Sequence, residues 1–331
     1  MPQNSRATGL AEAAPPWQRT AQAFTAAVGS GRLDVPLPGA GATRARWAVF
    51  ADLGGEDLSL ARLGEGHADA VAILAELNGP AAGAGSRWGV WAANPPGLNV
   101  TASRRAGSWL LRGTKQYCSG ARVCTHALVT AAAEDGERLF AVSTADLEPD
   151  TGSWPATGMA GSDTLDVAFP GICAIAVGPP GGYTNRPGFS HGGAGVAACW
   201  YGGARAVGRT LFSAASKRDV GPHALAHLGA VDIALRAARA ALGQAADEID
   251  ADPADQAGEG PARSVRVKTL TEAVATAVMN RTGRALGAGP LSHDEAHSRA
   301  VADLTVYLRQ HHAERDLARL GELVTEHGGA W

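Results

Sequence analysis

Cysteine, lysine and net charge are what this chain of 331 residues has least of, and two of these shortages remove whole classes of function. The 4 cysteines, Cys118, Cys124, Cys173 and Cys199, stand apart with no Cys-x-x-Cys pair, so neither a zinc site nor a disulfide framework is expected. Reduced thiols in a cytoplasm are the simpler reading, and the protein is placed there. The 29 basic and 32 acidic side chains leave a formal charge of -3, too weak a field to argue for nucleic acid or an anionic membrane surface. No run of about 18 apolar residues exists to span a bilayer, and the opening MPQNSRATGLAEAAPPW lacks the apolar core of a signal peptide. Sparse lysine beside abundant alanine, glycine and arginine reflects coding bias and carries no mechanism.

What remains is a globular chain long enough for two or three modest domains. Helix is expected from Trp17 to Val28 and from Asp57 to Leu77, joined by a connection containing Pro36, Pro38, Gly39 and Gly41. In the second helix Leu60, Leu63, His67, Val71 and Leu74 share one face, which makes His67 a packing histidine before it is a site residue, with Glu65 off that face. From Trp88 the period changes toward two. Short strands are expected at Gly89 to Ala93, Val100 to Ser103, Trp109 to Arg112, His126 to Ala131, Arg138 to Ser143 and Leu165 to Phe169, with Pro- and Gly-bearing turns between them. The stretch Trp109 to Ala131 reads as a β-hairpin with a Gly113-Thr114-Lys115 turn and the polar segment Tyr117-Cys118-Ser119-Gly120 at its bend. Beyond a Gly/Pro-rich passage from Gly178 to Gly193, four long helices are expected at Gly195 to Lys217, His223 to Ile249, Ala262 to Leu286 and Asp294 to Gly321, enough for a bundle. The expected division is a helical part over residues 1–86, a β domain over 87–177 and a helical bundle over 178–331.

Two segments carry a family resemblance. Trp109 to Ala131 resembles the middle-domain signature of the acyl-CoA dehydrogenase superfamily, in which an apolar strand, a Gly-x-Lys turn and a "W-I-T/S-x-A" segment run alongside the flavin ring. Thr157 to Phe169, read TGMAGSDTLDVAF, resembles that superfamily's "L-G-M-R-x-S-x-T-x-x-V-x-F" pattern and follows at the usual distance. The resemblance implies an α+β fold: a shortened N-terminal helical part, a middle antiparallel β-barrel or sandwich, and a C-terminal four-helix bundle. It also implies FAD lying between barrel and bundle, closed over by a partner subunit of a homodimer or homotetramer. Carried over residue by residue, Trp91, Ala93, Tyr117, Cys118 and Ser119 fall at the flavin ring. Arg218 and His227 fall at its pyrophosphate, and Arg284, Gly287 and Gly289 near its adenosine half. The "T-E-P…G-S-D" segment is missing after Trp88-Gly89-Val90-Trp91.

The implied reaction is oxidation of an acyl thioester, on CoA or a carrier protein, at Cα–Cβ, which needs a carboxylate base beside the flavin. The family's usual positions for that base fall here near Leu320-Gly321 and near Gly193, neither acidic. The titratable run Tyr307 to Asp316 stands nearby, so Glu314 or His312 is the expected catalytic group, with Glu322 a further carboxylate. On one helix His311 and Arg315 would share a face, and His312 and Asp316 another. The alternatives are a flavin-dependent monooxygenase of the same fold or a non-catalytic binding subunit. Metal is not expected: His293 with His297 and His223 with His227 have suitable spacing but no third ligand. Gly193 to Ala198 mimics a dinucleotide fingerprint without the preceding strand.

Overall fold

The computed structural model describes residues 14–97 and 99–327, so most of the N-terminal stretch read above lies outside the described residues. Three helices lead the chain: α1 (Pro16–Gly29), α2 (Thr43–Glu56) and α3 (Leu58–Glu76). Helix α2 falls where only a connection was expected. Its buried residues, Arg46, Trp47, Phe50, Ala51, Leu53 and Gly54, share one face, but that face includes an arginine and a glycine while Ala45, Ala48 and Val49 lie on the other, so no hydrophobic stripe stood out. Asp57 ends it and caps the next, accepting the Leu60 amide at 2.9 Å.

Seven strands follow: β1 (Trp88–Trp91), β2 (Val100–Arg105), β3 (Ser108–Cys118), β4 (His126–Ala133), β5 (Gly136–Ser143), β6 (Pro149–Asp150) and β7 (Leu165–Val177). Strands β4, β2, β3, β7 and β5 pair in that order, and β5 returns to β4, closing a barrel. The expected hairpin from Trp109 to Ala131 does not form. Strand β3 pairs with β2 and β7, whereas β4 pairs with β5, so the true hairpins are β2–β3 and β4–β5. Gly113 is no turn either: it lies inside β3 at φ +125°, where a Cβ would sit 2.3 Å from the Asn99 carbonyl oxygen. The barrel is also not wholly antiparallel, because β1 runs parallel to β4 along its edge. Its interior is filled by Trp91, Leu111, Cys118, Val129, Phe140 and Val167.

The C-terminal half holds α4 (Gly182–Asn185), α5 (Pro187–Lys217), α6 (Gly221–Ala251), α7 (Gly260–Leu286), α8 (Gly289–His293), α9 (Glu295–Tyr307) and α10 (Glu314–His327). Helix α5 starts well inside the passage expected to be a Gly/Pro-rich linker, because Pro187 is suited to a first helical position and the glycines after it face neighbouring elements at close range. The last expected helix is two. It breaks after Tyr307 into a 3-10 turn, and Ala313 takes a left-handed φ of +46° before α10. Helices α5, α6, α7 and α9 form the bundle, with α2 crossing α5 so closely that a Cβ on Gly54 would lie 2.2 Å from the Cys199 carbonyl oxygen.

Candidate functional site

The two segments expected to meet a flavin ring do come together. Lys115, 1 % exposed, points into the barrel end and donates to Asn94 Oδ1 at 2.5 Å, to the Thr130 carbonyl at 2.9 Å and to Thr130 Oγ1 at 2.8 Å. Burial drives its pKa down to about 8. Trp91 Nε1 donates to the Ser119 carbonyl at 3.0 Å. These bonds fasten the segment after β1 to the end of β3, and the ledge between the two cross-links carries half-buried Ala92 and Ala93 on one segment and exposed Tyr117 on the other.

Strand alternation then decides which predicted residues can reach a ligand. Trp91 and Cys118 turn inward, 1 % and 0 % exposed, and burial pushes the Cys118 thiol well up, so their side chains belong to the barrel interior. Tyr117 turns outward, 52 % exposed, at φ +60°. Ser119 is buried and its hydroxyl shares a hydrogen bond with Thr164 Oγ1 at 2.9 Å; Thr164 continues to Ser162 Oγ at 2.7 Å. The loop before β7 that supplies them is held by Asp163, which accepts from the Arg122 guanidinium and amide. The bend itself rests on α3, where Gly120 lies beside Leu63.

The expected pyrophosphate and adenosine residues lie elsewhere. Arg218 is the exposed residue that ends α5, about 28 Å along the helix from Cys199 at 1.5 Å per residue. Arg284, Gly287 and Gly289 sit at the end of α7, which the antiparallel path of α5, α6 and α7 brings to that same end of the bundle. His227 is half-buried in α6 with its Nδ1 lacking a hydrogen-bond partner. Within one chain these groups do not converge on the ledge.

Nor does the titratable run reach it by any hydrogen bond or ion pair among the described residues. His311 is buried against α7, sharing a hydrogen bond with Thr269 Oγ1 at 2.8 Å, and burial lowers its pKa. Because the helix breaks, both His311 and His312 approach Asp316, at 3.8 and 3.7 Å, and the separate faces expected for them do not exist. Glu314 is exposed in the first turn of α10, and Glu322 pairs with Arg319 at 2.9 Å. His67 is the packing residue it was read as: its Nδ1 accepts the Trp88 amide at 3.2 Å, and burial lowers its pKa to about 4. Among the described residues no group of three or more His, Cys, Asp or Glu could hold a metal, and no helix is long and apolar enough to cross a membrane.

No protein-family model matches the sequence, and no curated protein does. Solved structures match over nearly the whole chain. Butyryl-CoA dehydrogenase from Megasphaera elsdenii superposes with a TM-score of 0.77 at 14% identity, over 93% of this chain and 90% of that one. Dibenzothiophene monooxygenase TdsC from Paenibacillus sp. A11-2, in complex with FMN and indole, gives 0.73 at 18%, over 95% and 97%. KijD3, in complex with FMN and a dTDP-3-amino-4-keto sugar, gives 0.76 at 19%, over 95% and 92%. The chain therefore has the acyl-CoA dehydrogenase fold.

Proposed function

We propose that this chain is a flavin-dependent oxidoreductase whose flavin ring lies on the ledge of Ala92, Ala93 and Tyr117. The observation that carries the reading is Tyr117. A bulky residue at positive φ is strained by about 1 kcal/mol or more, and an aromatic half open to solvent gains little from burial to offset it. A flat ligand stacked there would cover the ring and supply the missing contact. The ledge suits the group: two alanines leave the backbone open to a planar edge, and the Ser119 backbone lies beside them, fixed by Trp91.

Flavin, when bound, supplies hydride acceptance or, reduced, reaction with oxygen. The protein's part is to hold and orient it through the Tyr117 face and the backbone from Ala92 to Ala93, and to keep the bend rigid through Asn94, Lys115 and Asp163. Arg218, His227, Arg284, Gly287 and Gly289 would reach the pyrophosphate and adenosine of FAD only from a partner subunit. A homodimer or homotetramer is part of the reading, and the exposed Phe212, Leu225 and Ile233 of α5 and α6 suit such contact.

For the reaction, dehydrogenation of an acyl thioester leaves Glu314 or His312 as proton acceptor. A monooxygenase is the second reading, favoured by one feature: the buried titratable group where α9 breaks from α10 is a histidine, His311, and not a carboxylate. Visible spectra of the purified protein before and after adding FAD or FMN, with chromatography of any flavin released, test the proposal. Bound FAD, followed by anaerobic bleaching with acyl-CoAs, supports dehydrogenation. FMN, or binding of reduced flavin only, supports the monooxygenase. A folded oligomer that binds neither flavin refutes both.

A further inference from the structure

Behind the loop that carries Ser162 and Thr164, on the side away from Ser119, lies a groove of about 730 Å³ between α1, the start of α3 and α9. Its floor is partly apolar, with Leu60, Ala23 and Ala302 exposed to it, and Thr20 and Arg299 on its walls. Its one buried acid, Asp303, has no cation paired with it, whereas Glu295 on the rim is exposed. Asp57 caps α3 with one oxygen and meets Arg299 at 3.4 Å with the other, and Asp294 caps α9. Asp303, 3 % exposed, accepts the Met159 amide at 2.5 Å through Oδ1. No arginine, lysine or histidine among the described residues forms an ion pair with it, since the nearby Arg299 goes to Asp57. A buried hydroxyl adds to the site: Ser59, 2 % exposed and lining the same groove, has no hydrogen-bond partner for its Oγ.

A carboxyl in that position is costly to ionise, and burial raises the Asp303 pKa to about 6. The charged form gains most from a cation brought within reach of its remaining oxygen. An anion would meet Asp303, Asp57, Asp294 and Glu295 unfavourably, and of the two arginines on the groove Arg299 is engaged by Asp57 and Arg19 donates to the Ala14 carbonyl. The apolar floor beside the acid suits a short hydrocarbon body next to the charge.

We propose that this groove binds a small amphipathic amine, its ammonium group paired with Asp303 and its apolar part against Leu60, Ala23 and Ala302. The site is formed by this chain alone and does not rest on the flavin reading, so its test is run without flavin.

Isothermal titration calorimetry of the full chain at pH 7.5 with 2-phenylethylamine, 2-phenylethanol and 3-phenylpropanoate tests the proposal. The amine should bind at least about tenfold more tightly than the other two, the discrimination expected of a charge-assisted hydrogen bond. Asp303→Asn keeps an oxygen for the Met159 amide and should erase the preference. Should that variant fail to fold, Ala23→Trp decides: it fills the groove from an exposed position on α1 and should weaken amine binding by a similar factor. Equal binding of all three probes, no binding of the amine, or unchanged amine affinity in a folded Asp303→Asn or Ala23→Trp overturns the proposal.

Discussion

Lys115 should make the stability of this protein rise with pH, against the usual trend for a paired cation. Its ammonium group is almost wholly enclosed, and burial moves its pKa from 10.5 to about 8 in the folded chain. Between those two values the unfolded chain holds a proton that the folded chain has released, so unfolding takes up protons and stability increases as pH rises. At neutral pH both states are charged and the folded state bears the full cost of about 3 kcal/mol. From pH 7.5 to 9.5 the linkage relation returns about 2 kcal/mol of it. Groups that titrate alike in both proteins cancel if urea unfolding of the natural chain is compared with Lys115→Met at fixed ionic strength. Cys118, the nearest titratable group, stays protonated over this range because its own pKa is pushed well up. The difference in unfolding free energy should therefore move by about 2 kcal/mol in favour of the natural chain between those pH values. Parallel pH profiles would show that Lys115 is not desolvated, and the account of how β1 is fastened to β3 would fall with it.

Gly202→Ala should destabilise by about 3 kcal/mol or more, read as a lowered urea midpoint, because its Cβ would stand 2.1 Å from the Ala51 carbonyl where α5 crosses α2. His67→Leu should cost about 1–3 kcal/mol in the same assay by orphaning the Trp88 amide. It should also remove a pH effect, since a histidine held neutral down to about 4 loses stability for the fold as pH drops below 6.5, where only the unfolded chain is protonated. Arg218→Ala should weaken flavin retention in an intact oligomer, and unchanged affinity would return Arg218 to an ordinary helix end. Glu314→Gln should leave stability within about 0.5 kcal/mol and flavin bound, yet abolish turnover if Glu314 is the base; full turnover removes it.

The expected elements that held were those whose period is simple. Helices α1, α3, α6 and α7 lie within a few residues of their expected ends, and the strands over β4 and β5 do as well. What stayed hidden had a physical reason in each case. Helix α2 buries Arg46 and Gly54 on its inner face and carries Ala45, Ala48 and Val49 on its outer one, so its sequence shows no hydrophobic stripe. The pairing of β3 is a matter of which strand lies beside it, and local turn chemistry at Gly113 pointed to a reversal where the chain needed only room for the close Asn99 carbonyl of the paired segment. The break after Tyr307 has no Pro or Gly to announce it. Of the site, the meeting of the Trp91 and Tyr117 segments was legible through the Gly-x-Lys pattern. Asp303 was not: its partner is a backbone amide 144 residues away, and nothing near it in sequence marks it as buried.

One buried feature escaped the sequence altogether and bears on how the site is built. Helix α3 carries two stripes, not one. Opposite the apolar face run Arg62, Glu65, Asp69 and Glu76, and each is paired: Arg62 with Glu65 at 2.8 Å, Arg46 with Asp69 at 3.1 Å and Arg186 with Glu76 at 2.7 Å. Burial pushes Glu65 up to about 7 despite the arginine, which shows how little water reaches this seam. Such a row resembles a solvated helix face, yet Glu65 is buried and Arg62 and Asp69 half-buried, with Glu76 left exposed at the end, because α5 answers the row with glycine. A Cβ on Gly192 would stand 2.7 Å from the Asp69 carboxylate, and one on Gly188 2.1 Å from that of Glu76. Ion pairs out of water add little net stability but penalise any shift that separates them, so Arg46 from α2 and Arg186 from the start of α5 hold α3 in one register, while Arg62–Glu65 lies within α3 itself. The bend beside Tyr117 rests on α3 through Gly120 and Leu63, and its position is therefore set by this register rather than by the residues of the bend. Much of the motif that resembles a flavin segment is accounted for by such packing: Trp91, Lys115 and Cys118 are all interior. Tyr117 is not: it stands exposed where β3 loses register with β7 between Lys115 and Cys118, and it is the part of the motif on which the flavin proposal rests.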